Sequence, residues 1–305
     1  MKKFIVTMAI AAAMAVLVIF MKNEYGSIFS GDTYGIPAVI EKGEIDHLFL
    51  GSSMFRLGLD IDVLEENLDG NVYILSYNGN QPTFIAQELA YLLEHGVKIK
   101  NLYVDFYAFS AASVPRIYDE RIFLDTDLKF KMDVWKKLKE NAGWLTFYEM
   151  FVTANNEQIL TYSIHNKIAS ADFRNGGSLT YMEGRTIEEL QEMERNGITK
   201  VNEIQAQGYR EIYDLAQEHN INLLFLETPK YKKIREEVGK ECYNVTLEDM
   251  KRIADDIGIT YVLSDEVGFN HEDSECFNDL IHLSSKGKKV YTEKLCVYLI
   301  HRSSF

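Results

Sequence analysis

DHLFLGSSMFRLG, residues 46–58, begins as an apolar strand and breaks into Gly51, Ser52 and Ser53. A packed core has no use for two hydroxyls beside a glycine, so their place at a strand end asks for another reason. In an open parallel sheet, ligands bind in the crevice outside the carboxyl ends of the strands. Whether these serines face such a crevice depends on the rest of the chain forming that sheet.

Five segments read as strands: residues 47–50, 72–75, 102–106, 223–226 and 260–263. Each is short, β-rich and nearly continuous in apolar residues, as strands covered on both faces are. Helical patterns fall between them at 84–95, 201–219 and 247–257, the first and last closed by Gly96 and Gly258. Glycine stops a helix well because it accepts positive φ. Strand alternating with helix through right-handed crossovers predicts a three-layer α/β/α domain over residues 44–305, built on a five-stranded parallel sheet.

One interval breaks the alternation. Residues 110–200 exceed an ordinary crossover, and Phe130, Trp135, Trp144, Phe147, Tyr148, Phe151 and Tyr162 predict amphipathic helices inserted there, capping the sheet edge or forming a lid or docking surface. At the other end, Lys2 and Lys3 precede an apolar run from Phe4 to Met21 that closes on Lys22. A cleaved signal peptide has an apolar region of roughly 7 to 15 residues with a small-residue site after it. This run is longer and keeps its alanines inside, so residues 1–22 are expected to be an uncleaved transmembrane anchor, with the leading lysines cytoplasmic and the domain extracytoplasmic. Residues 23–43, rich in glycine with Pro37, read as a tether.

The 305 residues carry 32 Lys+Arg against 46 Asp+Glu, a formal charge of -14, which argues against nucleic acid as partner. Cys242, Cys276 and Cys296 match no zinc spacing. A Cys242–Cys276 bridge and three reduced, buried thiols are both open readings. Asp265, Glu266, Glu272, Asp273 and Glu275 show no ordered ligand spacing, so no metal or other cofactor is expected. Glu227, Thr228 and Pro229, at the end of the fourth strand, read as structural. Lys230, Lys232, Lys233 and Arg235 beside them are the run that would form a local basic groove.

A serine becomes a nucleophile when a histidine takes its proton and a third group fixes the imidazole tautomer. Among seven histidines, His282 stands out, because Asp279 precedes it by three residues in a turn ahead of the last helix. The carboxylate then meets one ring nitrogen while the other faces outward.

A strand-end G-S-S near the N-terminus followed by D-x-x-H near the C-terminus resembles the SGNH/GDSL hydrolase superfamily, over residues 44–300. The resemblance implies a flavodoxin-like fold, Ser53 as nucleophile, and Asp279 and His282 completing a catalytic triad. It further implies an oxyanion hole from the Ser53 and Gly79 amides, Gly79 lying in YNGNQPT (residues 77–83) after the second strand. Ser52 replaces the family's usual aspartate, as in the DltD-like, membrane-anchored cell-envelope branch. VDFYAFS (residues 104–110) lacks the asparagine expected after the third strand, leaving Asp105, Tyr107 or Ser110 to shape the pocket. Ser52, Arg56, Asn78, Asn80 and Tyr107 are candidate substrate contacts.

The expected function is therefore an envelope O-acyl esterase or acyltransferase acting on a glycan or other polymer, with a membrane-bound O-acyltransferase as implied partner. A non-catalytic glycan-binding or assembly subunit of an acylation complex is the alternative. A nucleotide-binding protein is disfavoured, because the first turn lacks the glycine spacing that lets backbone approach phosphate.

Overall fold

The chain's computed structural model describes residues 2–29, 34–116, 118–138, 144–160, 173–178, 200–236 and 240–302. Strands β1 (Glu44–Gly51), β2 (Val72–Ser76) and β3 (Lys98–Asp105) are followed by a short hairpin of β4 (Phe173–Arg174) and β5 (Gly177–Ser178), then β6 (Asn222–Leu226) and β7 (Tyr261–Val262). Five of them form one parallel sheet in the order β2-β1-β3-β6-β7. This is the doubly wound, flavodoxin-like order, and the strand order reverses between β1 and β3.

The continuous apolar runs follow from burial on both faces. Leu48, Leu50, Leu102, Val104 and Phe225 point into one core layer, shared with helices Pro82–Glu94, Glu203–Glu218 and Lys240–Ile257. Phe49, Tyr103, Leu224 and Leu226 point into the other, shared with Ile61–Asn67 and the C-terminal helix Ser285–Arg302. Burying each such side chain contributes about 1.5–3 kcal/mol. Register pairs Gly51 with Ser76, Leu50 with Val104 and Asp105 with Leu226, so the ends of the central strands lie side by side at one edge of the sheet.

Helix α1 (Lys2–Tyr25) contains one span long and apolar enough to cross a membrane, and that stretch is not buried in the domain. Its last turn is anchored. Lys22 Nζ donates to the carbonyls of Val152 at 2.7 Å and Ala154 at 2.9 Å, and Asn23 Nδ2 to that of Phe151 at 2.7 Å. These carbonyls lie along and just beyond the π-helical turn Glu149–Thr153, where a helix end leaves acceptors open. Lys131, itself buried, donates back to Asn23 O at 2.6 Å.

Residues 23–43, expected as a tether, are built into the fold at both ends. Asn23 and Tyr34 are buried, and helix α2 (Ile36–Lys42) sinks Ile36 and Val39 into the main core. Two of the glycines and the proline that suggested a linker bound this short helix: Gly35 and Gly43 flank it at φ 88° and 68°, and Pro37 occupies its first turn.

The long interval contributes helices Arg121–Leu124, Leu128–Leu138, Trp144–Tyr148 and Asn156–Leu160 among its described residues; Tyr162 lies outside them. Phe147 packs against Trp135 and Phe151 with ring centroids 5.2 and 4.5 Å apart, and Phe130 meets Tyr91 of the helix Pro82–Glu94 at 5.4 Å. The β4–β5 turn reaches the sheet edge, where Asn175 O accepts from Ile74 N of β2 at 2.9 Å. Cys276 and Cys296 are free, buried thiols, so no Cys242–Cys276 bridge forms; the Cys242 side chain lies outside the described residues.

Candidate active site

Strand β1 ends on Gly51, where β3 comes too close for a side chain. A Cβ at Gly51 would stand 2.6 Å from Asp105 Cβ. Ser52 then caps helix α3 (Ser53–Gly58): its Oγ accepts from Met54 N at 3.2 Å and donates to Asp105 Oδ2 at 2.5 Å. Serine suits this position because its hydroxyl meets a helix's open amides. Ser53 follows as the first residue of α3, raised at the switch point of the sheet.

Ser53 Oγ lies 3.3 Å from His282 Nε2, and His282 Nδ1 lies 2.8 Å from Asp279 Oδ2. The other Asp279 oxygen accepts from the amides of Ile281 at 2.7 Å and His282 at 2.6 Å, fixing the carboxylate and the imidazole as one turn. That turn is closed by Asn278 N donating to His282 O at 2.9 Å and by a bridge between Phe277 and Leu283. The Asp279 side chain is 1% exposed and that of His282 13%. A carboxylate only accepts, so the proton is assigned to Nδ1, which leaves the Nε2 lone pair facing the serine hydroxyl.

Gly79 sits on the turn after β2, tied to β1 by Tyr77 N donating to Gly51 O at 3.2 Å and closed by Asn80 N on Tyr77 O at 3.2 Å. Its φ of 60° is left-handed, which favours glycine. Among the described residues, neither the Ser53 nor the Gly79 amide donates to a protein acceptor. Both are therefore free to meet a developing oxyanion.

Four of the five expected substrate contacts are buried. Ser52 is buried on Asp105. Arg56, 4% exposed, donates to Tyr34 Oη at 3.3 Å and to Asn78 Oδ1. Asn80 is buried, its Nδ2 donating to Gly51 O at 3.1 Å and to both Glu88 oxygens, at 2.9 and 3.1 Å. Asn78 is half-buried; besides its side chain meeting Arg56, its backbone N–H donates to Asp119 Oδ2 at 2.9 Å. Tyr107 is buried with Lys230 Nζ 4.9 Å from its ring centroid.

Asp119 and Arg121 have no counterpart among the sequence candidates, yet they hold the Gly79 turn. Arg121 grips Asp119 through Nε at 2.8 Å and Nη2 at 2.5 Å, and its guanidinium lies 4.8 Å over the Tyr34 ring. Burial works against a charged Asp119, but the Arg121 guanidinium keeps its carboxyl below the usual range. Nothing in the spacing signals a pair lying some forty residues past the turn it supports.

Around the site, burial pushes the Asp105 carboxyl above its ordinary range, opposed by Lys230 and the two Ser52 bonds. Asp105 Oδ1 is buried without a hydrogen-bond partner among the described residues. Glu227 fits the structural reading: Tyr243 Oη donates to one of its oxygens at 2.7 Å, and Ser264 N and Oγ to the other at 3.1 and 2.8 Å. No group of three or more His, Cys, Asp or Glu suited to a metal occurs among the described residues.

Fold and site together define a doubly wound α/β protein with a Ser-His-Asp arrangement at its switch point. A scan against protein-family models and a search of the curated proteins find no match. Solved structures with a similar fold include a lipase/acylhydrolase from Enterococcus faecalis, 9% identical, TM-score 0.41, covering 85% of this chain and 96% of that one. A GDSL-like lipase from Bacteroides thetaiotaomicron is 10% identical, with TM-score 0.39 and coverage of 87% and 90%. An acetyl xylan esterase is 13% identical, with TM-score 0.39 and coverage of 84% and 100%.

Proposed function

We propose that this chain is a membrane-anchored, extracytoplasmic serine ester hydrolase of the SGNH type, and that the alignment of Ser53, His282 and Asp279 carries its activity. Ser53 Oγ attacks the ester carbonyl as His282 Nε2 takes its proton. The Asp279 carboxylate stabilises the resulting imidazolium. The carbonyl oxygen gathers negative charge against the Ser53 and Gly79 amides, and one such donor is worth about 2.7–4 kcal/mol in comparable sites. Collapse expels the alcohol, which leaves with the proton from His282. Water, or a polymer hydroxyl, then attacks the acyl-Ser53 ester with His282 again as base, regenerating the serine.

The apolar α1 helix with its leading lysines supports placing the domain at the outer membrane face, where esters on envelope glycans are within reach. An acyltransferase role beside a membrane-bound O-acyltransferase, as in the DltD-like branch, is the finer form of the same proposal. The test is p-nitrophenyl acetate turnover by the full chain in detergent. Release of p-nitrophenol that disappears in Ser53→Ala is expected; release that persists in Ser53→Ala overturns the assignment.

A further inference from the structure

Two members of the basic run after β6 are taken up by protein partners. Lys230 is fully buried, its Nζ donating to Thr228 O and Oγ1 at 2.8 Å, and Lys232 lies between Glu236 and Glu272. A different cation, from the segment after β3, lies beside the Gly79 turn.

Arg116 is exposed, and its guanidinium carbon lies 5.5 Å from the ring centroid of Tyr118. Tyr118, 54% exposed, packs directly on Gly79, where an added Cβ would come within 2.8 Å of it. Arg116 N donates to Gln81 Oε1 at 2.9 Å, which ties this segment to the end of the same turn. Together with Tyr77, Asn78 and Phe84, these two side chains line a depression beside Gly79.

Arg121, Arg174, Arg210 and Arg252 each pair with a carboxylate, as expected in a chain with 46 acidic residues, whereas Arg302 at the C-terminal helix end donates to Tyr298 Oη at 3.3 Å. No carboxylate pairs with the Arg116 guanidinium among the described residues. The nearest acid in the depression, Asp119, is already gripped by Arg121. An arginine presents a rigid fork of donors that fits carboxylate or phosphate, and an aromatic ring beneath it fixes the plane of that fork.

We propose that Arg116 and Tyr118 form a subsite for a carboxylate or phosphate carried by the substrate next to its scissile ester, an inference that rests on the ester-hydrolase reading. The Gly79 amide takes the carbonyl oxygen, and the neighbouring fork takes the anionic group.

The test compares phenyl acetate, 4-acetoxybenzoate and 4-acetoxyphenyl phosphate with the full chain in detergent, each rate corrected for spontaneous hydrolysis. An anionic ester is expected to exceed phenyl acetate in kcat/KM by about tenfold, equivalent to about 1.4 kcal/mol. The preference should shrink as salt rises, fall to near parity in Arg116→Gln and return in part in Arg116→Lys. The carboxylate and phosphate arms show which anion fits. Parity in the wild type, or a preference that survives Arg116→Gln, overturns the subsite. If no ester is turned over, the hydrolase reading fails separately, and calorimetric binding of the same esters to Ser53→Ala decides the subsite: tighter binding of an anionic ester upholds it, equal binding overturns it.

Discussion

Ser52 Oγ and Asp105 Oδ2 stand 2.5 Å apart, joining the ends of β1 and β3 at the point where strand order reverses. The same hydroxyl caps α3, so a carboxylate on one strand sets the first helical turn after another, and that turn carries Ser53. Ser52 is thereby a positioning residue, and Asp105 acts through it. Ser52→Ala is expected to lose the cap, about 1 kcal/mol, and to lower the thermal midpoint. It should also lower kcat more than it raises KM, because the nucleophile's aim depends on that turn.

Asp279→Asn keeps the size of the side chain and reverses one bond. An amide that still accepts from the Ile281 and His282 amides must turn its NH2 toward His282 Nδ1, which then accepts and moves the ring proton to Nε2. Ser53 loses its base. Steady-state kinetics should show kcat lowered by about 10⁴-fold, as the equivalent change does in a serine protease triad, with the thermal midpoint little altered.

Gly79→Ala strains a left-handed residue at φ 60° and drives a Cβ to 2.8 Å from Tyr118. The amide proposed to meet the oxyanion shifts with it. A fall in kcat of about 10²- to 10³-fold is expected, the range for loss of one oxyanion donor. Tyr118→Gly in the same chain removes the Cβ, Cγ and Cδ2 atoms that meet the new Cβ but not the backbone strain, so activity should recover only in part.

Burial, with Lys22 nearby, lowers the Lys131 ammonium from its ordinary 10.5 to about 7. Between about pH 7 and pH 10.5 the unfolded chain holds a proton that the folded chain has released, so stability should rise with pH across that window. Below it, the charged lysine weakens the seat of α1. Thermal midpoints measured across the window in detergent should rise with pH in the wild type and rise less in Lys131→Met.

The strands were legible because burial on both faces leaves continuous apolar runs, and a hydroxyl pair at the end of one is conspicuous. His282 was legible because its partner, Asp279, is three residues away in the same turn. Arg56 and Asn80 were not. Each looked like a site residue by position, but their partners, Tyr34 and Asn78 for one and Glu88 for the other, meet them only after β2 and its helix pack. The segment 23–43 misled for a related reason: glycine and proline mark helix caps as readily as linkers, and buried Ile36 and Val39 decide between them. Lys230 looked like part of a groove because a cationic run in sequence does not reveal which members are buried.

The central claim is that His282 activates Ser53. Labelling the full chain with a fluorophosphonate tests it most directly, since such probes capture an activated serine. A single label at Ser53 is expected, absent from Ser53→Ala and strongly reduced in His282→Ala. A folded wild-type chain that takes no label, or one labelled equally well without His282, would contradict it.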